Sequence, residues 1–470
     1  MPVNPWFEQK LQEKGAQSPV NIILELPTSQ KEYARNVLLP IADISGTSDI
    51  AGRSFITMTV DDSKIPVVAQ LGTVHYNMPR GIAITTRTED EQGKPGHSLP
   101  MQISDPFVGE CGISRVESPT HPLTFPMDSA KTSTSEYLLI PTGRTVAMIK
   151  DSELARQFTG KNISLAVIDT GFVPSFAHPM IGTRPSSLYS TTEPPEPALD
   201  GHSHGSWCSF AALGSPFVHP TLGRMEGVAP DAISTHVKGL SALGFGTTAG
   251  ILKAIETAYN KGIQVVSMSL GGPAQGGVDE DPESVVIQDL SDKGMIFVIA
   301  AGNDGDDWTI GSPGICPKAI TVGSQSLTDG DLSWFSSRGP SSQYYKDNPD
   351  EYQRDLKKYG DDLIKPDVLG YGGGRADKAT TPDEIIMSGG VGWMAPFYHK
   401  LVDGFAGMHG TSQATPAVAG LVACLKEAGL VNNAKDFKET MATKPNSHPK
   451  SPRSGFGVVR FSDFLPHGVG

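Results

Sequence analysis

Long apolar runs are missing from this chain of 470 residues: none approaches the length of roughly 18 that a membrane-spanning helix needs. The opening residues, MPVNPWFEQKLQEKG, contain no apolar stretch of the kind a secretory signal carries. As written the chain reads as cytoplasmic, or as secreted if a signal has been removed. Cysteine is scarce. Cys111, Cys208, Cys316 and Cys424 are the only four, and no pair has C-x-x-C spacing, which excludes a zinc ribbon or a redox dithiol. Positive charge is in deficit, with 38 Lys and Arg against 51 Asp and Glu and a net charge of −13. That balance excludes a nucleic-acid-binding surface and disfavours anionic membranes. Charged residues make up 19%, below the usual level of about 25%, so neither a disordered chain nor a coiled coil is expected. Glycine (52) and proline (37) are abundant and indicate many tight turns. The length allows two or three domains and a substantial core.

Residues 1–78 read as a small α+β unit. Its strands are Val20 to Leu26, Ser54 to Val60 and Thr73 to Met78; a short helix through Leu38 follows the capping-box pair Ser29 and Glu32, and a second covers Ile65 to Ala69. Residues 79–144 hold eight prolines and no sustained periodicity, which predicts a linker or extension. From 145 to 470 the texture is alternating buried strands and helices. ISLAVI at 163–168, QVVSMSL at 264–270 and MIFVIAA at 295–301 are continuous apolar runs, and Thr248 to Tyr259 is helical in pattern. This predicts an α/β fold, a doubly wound and mostly parallel sheet flanked by helices. Such sheets carry their sites at the carboxyl ends of strands, where Asp169 and Asn303 fall.

Three segments carry chemistry: Asp169-Thr170-Gly171, His204-Gly205-Ser206, and Gly410 to Pro416 (GTSQATP). A serine hydroxyl needs a neutral imidazole to take its proton, and a carboxylate to hold that imidazole in the right tautomer. An Asp at a strand end, a His opening one helix and a Ser opening another supply that set. Ser412 at a helix start also gains N–H groups that stabilise developing negative charge. Competing readings are weaker. Asp169-Thr170-Gly171 is also an aspartic-protease signature, but that chemistry needs a second such carboxylate and the chain has none. Gly201 to Gly205 matches G-x-S-x-G, yet no strand precedes it. Asp200, His202 and His204 resemble metal ligands without a well-placed partner, so no metal is expected at the site.

In the order Asp, His, Ser, these residues resemble the subtilisin-like serine proteases (subtilases). The resemblance spans roughly 145–470 and includes AVIDTG, SHGS, SMSLGG, AAGN, WFSSRGP, KPDV and GTSQATP in sequence. It implies a serine endopeptidase with Asp169, His204 and Ser412 as catalytic triad and Asn303 in the oxyanion hole. It also implies that Ser269, Leu270 and Gly271 form one wall of the P1 pocket, Ala301 and Gly302 the other, and Gly311 a floor open to large apolar side chains. Gly244, Phe245 and Gly246 would be the edge that pairs with an extended substrate.

By the same resemblance, residues 1–78 correspond to a propeptide that inhibits its own enzyme, with the strand Thr73 to Met78 leading into the cleft and cleavage between 78 and 144. The partners implied are protein or peptide substrates and the chain's own N-terminal domain. No cofactor is required; the acidic groups Asp279-Glu280-Asp281 and Asp306-Asp307 leave room for structural calcium, with a solvated face as the plainer reading. Residues 341–364 read as an inserted surface loop, and Cys208 and Cys424 as buried core thiols. Two functional alternatives remain: a processing protease with one substrate, and a catalytically silent scaffold.

Overall fold

The computed structural model describes Val3, residues 7–8, 19–82, 137–174, 178–182, 186–376, 379–390, 400–402, 404–444 and 448–466. At its centre lies a seven-stranded sheet in the order Val368–Tyr371, Ile320–Gln325, Ile296–Ala300, Val265–Met268, Ser164–Asp169, Ile233–Lys238, Ser187–Ser190. Every pairing in it is parallel. A parallel sheet is covered on both faces, and its central strands are accordingly mostly apolar. Leu165 and Val167 face a core shared with the helices His204–Leu213 and Thr411–Glu427. Ala166 and Ile168 point the other way, into a core shared with Thr248–Asn260 and Pro282–Ser291. Side-chain alternation along one strand thus feeds two cores. The expected doubly wound architecture is present. Strand order reverses at Ser164–Asp169, which opens the crevice where such sheets bind ligands.

The N-terminal unit is a separate antiparallel sheet in the order Ala42–Ile50, Arg53–Val60, Val20–Pro27, Thr73–Tyr76. Its own core gathers Ile22, Leu24, Leu38, Ile56, Met58 and Val68. Two details differ from expectation. The strand Ala42–Ile50 (ADISGTSDI) escapes a hydrophobicity-based reading because it is half-exposed, polar and bulged between Ile44 and Gly46. It is set by a turn in which Ala51 (φ 55°) and Gly52 (φ 88°) are both left-handed, the geometry of a tight hairpin. Ser29 provides no side-chain cap; a short 3₁₀ turn, Thr28–Gln30, leads into the helix Lys31–Leu38 instead.

Both ends of the stretch assigned to a linker are ordered. Pro79–Gly81 pairs with Phe245–Thr247. Tyr137–Pro141 (YLLIP) pairs in parallel with Asp383–Gly389, and the helix Thr142–Ile149 follows. A short apolar run next to prolines found a sheet edge there, which local composition does not reveal. Residues 83–136 lie outside the described residues. The predicted loop 341–364 also differs. It forms the helices Gln343–Asp347 and Pro349–Tyr359, with Tyr344, Tyr345, Tyr352 and Leu363 in a small core shared with Val278, Ile310 and Ile315. Its tyrosines are packing residues: the Tyr345 hydroxyl donates to Asp355 (2.6 Å) and accepts from the Val278 N–H (2.9 Å).

The KPDV segment explains itself by burial. Asp367 is fully buried, receiving Lys365 Nζ (2.7 Å), Lys450 Nζ (2.6 Å) and the Thr321 N–H (2.7 Å). Although burial opposes its charge, the lysines around it hold its carboxyl far below the usual range. Burial itself lowers Lys365 to about 7. Removing one partner of such a cluster strands buried charge. Asp367→Asn should therefore lower unfolding free energy by about 3–5 kcal/mol, read as a shift in the urea midpoint. An unchanged midpoint would contradict this account.

Candidate active site

Asp169 ends the strand Ser164–Asp169, and its main-chain carbonyl is clamped by the N–H groups of Gly239 (2.9 Å) and Leu240 (3.1 Å). Its side chain meets His204 at the first turn of His204–Leu213: His204 Nδ1 lies 2.8 Å from Asp169 Oδ1. Two further residues hold this junction together. Thr170 accepts the Gly205 N–H on its hydroxyl (2.8 Å) and donates to Asp200 Oδ1 (2.9 Å). Asp200 then accepts the N–H groups of His202 (2.9 Å), Ser203 (2.8 Å) and Ser206 (2.7 Å). Asp200 is thus an N-terminal cap for the histidine helix. Its carboxylate is engaged by that capping rather than by the metal set considered with His202 and His204. Burial raises its pKa while the donors oppose the rise.

Glycine is required where the two elements touch. A Cβ on Gly205 would stand 2.3 Å from the Gly171 carbonyl oxygen, and Gly171 itself has φ 107°.

Ser412 is the second residue of the helix Thr411–Glu427, which follows Gly410 (φ 153°). Cys208, one turn beyond His204, joins the two halves of the site. Its thiol lies 3.3 Å from the Ser412 carbonyl and 3.7 and 4.0 Å from the His204 ring nitrogens. Burial, and then the nearby Asp169 carboxylate, push that thiol well above its usual pKa, so it is an inert filler here. Ser269 donates to the same Ser412 carbonyl (3.0 Å). Asn303 sits beside the serine turn, its Oδ1 held by the Thr411 N–H (2.8 Å) and hydroxyl (2.9 Å). Those bonds fix the amide orientation and turn its Nδ2 end toward Gly410, where a Cβ would lie 3.1 Å from it.

The remaining expected residues gather around this centre. Leu270 is buried beneath the edge; Gly271 and Gly272 run along it, and Gly272 pairs with Ser312 (2.9 and 2.8 Å). That pairing brings Gly311 against Gly272, whose oxygen is 3.0 Å from where a Gly311 Cβ would lie. Ala301 and Gly302 continue from Ile296–Ala300, and the Thr411 hydroxyl reaches the Gly302 carbonyl (3.2 Å).

Between Phe245–Thr247 and Gly271 runs a third strand, and it belongs to this chain. Gly81 exchanges both backbone hydrogen bonds with Gly271 (3.1 Å each), and the Ile82 N–H donates to the Gly244 carbonyl (3.2 Å). The strand Thr73–Tyr76 is the edge of the N-terminal sheet, and the chain continuing from it, Pro79 to Ile82, occupies the groove. The N-terminal unit is anchored next to it: Asn77 Oδ1 and the Met78 carbonyl accept the Ala249 (3.0 Å) and Thr248 (2.9 Å) N–H groups at the start of Thr248–Asn260. Arg53 also pairs with Asp289 (2.9 Å).

The acidic groups noted for calcium have other partners. Asp279 binds Lys358 and Tyr359; Asp281 caps Pro282–Ser291 by accepting the Ser284 N–H (3.1 Å); Asp307 faces Arg338. They do not converge on a common point. Among the described residues the one trio of His, Cys, Asp or Glu ligand atoms within mutual reach is Asp169, His204 and Cys208, the three joined by the contacts given above. Cys208, Cys316 and Cys424 are free and buried; Cys111 lies outside the described residues.

Comparison with known proteins agrees with this picture. The model of the subtilase family matches residues 160–458, and the chain belongs to that family. It is 32% identical over 305 residues to serine protease AprX of Bacillus subtilis, covering 60% of this chain and 61% of that protein. It is 33% identical over 270 residues to pyrolysin of Pyrococcus furiosus, covering 50% of this chain and 17% of pyrolysin. With subtilisin E of Bacillus subtilis the identity is 34% over 200 residues, 41% of this chain and 49% of that one. The chain thus spans less than two thirds of the length of each of these relatives.

Sequence reasoning missed the capping role of Asp200, and it missed Lys238, Arg80 and Glu283 altogether. Lys238, fully buried, donates to the Thr170 carbonyl (2.7 Å) and pairs with Glu196 (3.2 Å), steadying the loop after Asp169. A lysine ending a β-branched run (ISTHVK) was the available signal for it. Asp200→Asn would set an amide N–H against a backbone N–H in this buried cap. It should cost about 1–3 kcal/mol of stability, measured by urea unfolding, and an unperturbed midpoint would contradict the capping role.

Proposed function

We propose that this chain is a serine endopeptidase made as a zymogen, with its N-terminal unit as an intramolecular inhibitor. The observation that carries this reading is the 2.8 Å Asp169–His204 contact beside Ser412, with a strand of the chain's own lying in the adjoining groove. Ser412 Oγ attacks the scissile carbonyl carbon while His204 Nε2 takes its proton. Asp169 keeps the other ring nitrogen protonated and stabilises the imidazolium. The tetrahedral oxyanion receives the Asn303 side-chain N–H and the Ser412 backbone N–H. His204 then returns the proton to the leaving amine, the C–N bond breaks, and water repeats the sequence on the acyl-enzyme. All groups used are side chains and backbone of this chain.

The substrate class is an extended segment of protein or peptide, bound by backbone pairing between Gly244 to Gly246 and Gly271. A floor without a side chain at Gly311 supports a large apolar residue at P1. Pro79 to Ile82 occupy the groove in substrate-like antiparallel register, which supports inhibition in cis before processing. The name of the similar serine protease AprX points the same way.

Ser412→Ala should fold with an unchanged circular dichroism spectrum yet fail to process itself, hydrolyse casein or capture a fluorophosphonate probe. Normal hydrolysis by that variant sinks the mechanism. Asp169→Asn should lower kcat by about 10⁴ through the wrong tautomer. Asn303→Ala should lower it by about 10²–10³, the range known for such a donor in a subtilisin. N-terminal sequencing after incubation of the full chain should reveal a new terminus beyond Ile82; retention of the intact chain by an active enzyme argues against the zymogen.

A further inference from the structure

Backbone pairing in the groove is indifferent to sequence, but one side chain of the bound strand is not indifferently placed. Strand alternation turns Arg80 and Ile82 inward, at 0% and 8% exposure. Arg80 is met there by Glu283, itself wholly buried: Arg80 Nε lies 3.1 and 3.0 Å from the two carboxylate oxygens. Arg80 Nη1 donates to the Pro273 carbonyl (3.2 Å), while Nη2 has no partner among the described residues.

The receptacle is built on the enzyme side. Glu283 lies in the first turn of Pro282–Ser291, behind its cap Asp281. The Ser312 hydroxyl lies within hydrogen-bond distance of both Asp281 (2.8 Å) and Glu283 (3.1 Å), tying the two carboxylates together. Gly272 leaves the entrance open, since a Cβ there would stand 3.0 Å from Arg80 Nη1 and 3.2 Å from its Cδ. Burial pushes the Glu283 carboxyl up to about 7 although Arg80 pulls it down, and Asp281 adds to the rise. A cation in this place favours the ionised carboxylate, whereas without one burial favours the protonated acid, so the buried charge is drawn out by a cationic guest.

The register fixes which substrate residue would use it. Gly81 faces Gly271 in an antiparallel pair, so a substrate residue two positions further on faces Ser269, whose hydroxyl touches the Ser412 carbonyl. Arg80's place is the third before that residue. We propose that Glu283 forms an anionic subsite selecting arginine three residues before the scissile residue (P4), both in the chain's own strand and in substrates cleaved in trans. This rests on the endopeptidase reading above and gives it a substrate class: extended segments with an arginine at that position.

The test varies the substrate, so that folding of the enzyme is not in question. The full chain is allowed to process itself. It is then given internally quenched peptides carrying the 78–88 sequence, with Arg, norleucine or Glu in the place of Arg80. The arginine peptide should be cleaved after the third residue beyond the arginine, with kcat/KM roughly 30-fold or more above norleucine and further above Glu, the range for truncating one side of a buried charge pair. Glu283→Gln enzyme should lose most of that ratio, a readout insensitive to the fraction of enzyme that folds. Equal kcat/KM for arginine and norleucine with wild-type enzyme overturns the subsite and leaves the endopeptidase standing; the Arg80–Glu283 pair would then be only a clamp on the N-terminal unit. Hydrolysis of no peptide overturns the endopeptidase reading, and the subsite with it.

Discussion

The whole site hangs on how closely one strand end approaches one helix start. Asp169 and His204 are 35 residues apart in sequence, and their 2.8 Å contact exists because two backbones nearly touch at Gly171 and Gly205. Any side chain there would hold the strand and helix apart. Thr170 and Asp200 then take up the N–H groups of His202, Ser203, Gly205 and Ser206, which the helix start leaves over. The carboxylate and imidazole are preorganised by the same packing that closes the core, rather than by flexible arms reaching across a cleft.

The second half of the site is delivered by a different element. Thr411–Glu427 packs on the same face of the sheet as His204–Leu213, and this shared core sets the height of Ser412 relative to His204. Cys208 and Ser269 fill the space between, each addressing the Ser412 carbonyl. Asn303 is held by Thr411, next to Ser412, so the amide is tied to the serine turn. On the far side, the groove edge formed by Phe245–Thr247 and Gly271 lacks a middle strand of its own, and the N-terminal unit supplies one. An unpaired strand edge invites such pairing. What distinguishes this occupant from any other extended segment is the buried Arg80–Glu283 contact.

Much of this was legible in the chain. The buried strands at 164–169, 265–268 and 296–300 announce themselves as continuous apolar runs, and the helices 248–260 and 411–427 by their periodicity and boundaries. Asp169, His204, Asn303 and Ser412 stood out because each lies in a short motif whose residue types make sense only together. Illegible elements share a physical cause. Ala42–Ile50 and Ile233–Lys238 contain too many polar residues to read as strands, since neighbours rather than hydrophobicity hold them in place. Residues 343–359 look like a soluble loop, yet their tyrosines bury against Val278 and Ile315.

Local sequence by itself determined the types of the major elements and the identity of the groups able to move protons, because apolar spacing and side-chain chemistry are properties of a few adjacent residues. Only the tertiary structure decided that Asp200 caps a helix, that Pro79 to Ile82 fill the groove, and that Arg80 finds Glu283 across 203 positions. Those outcomes depend on which surfaces the packed sheet brings face to face, and distance along a chain carries no record of that.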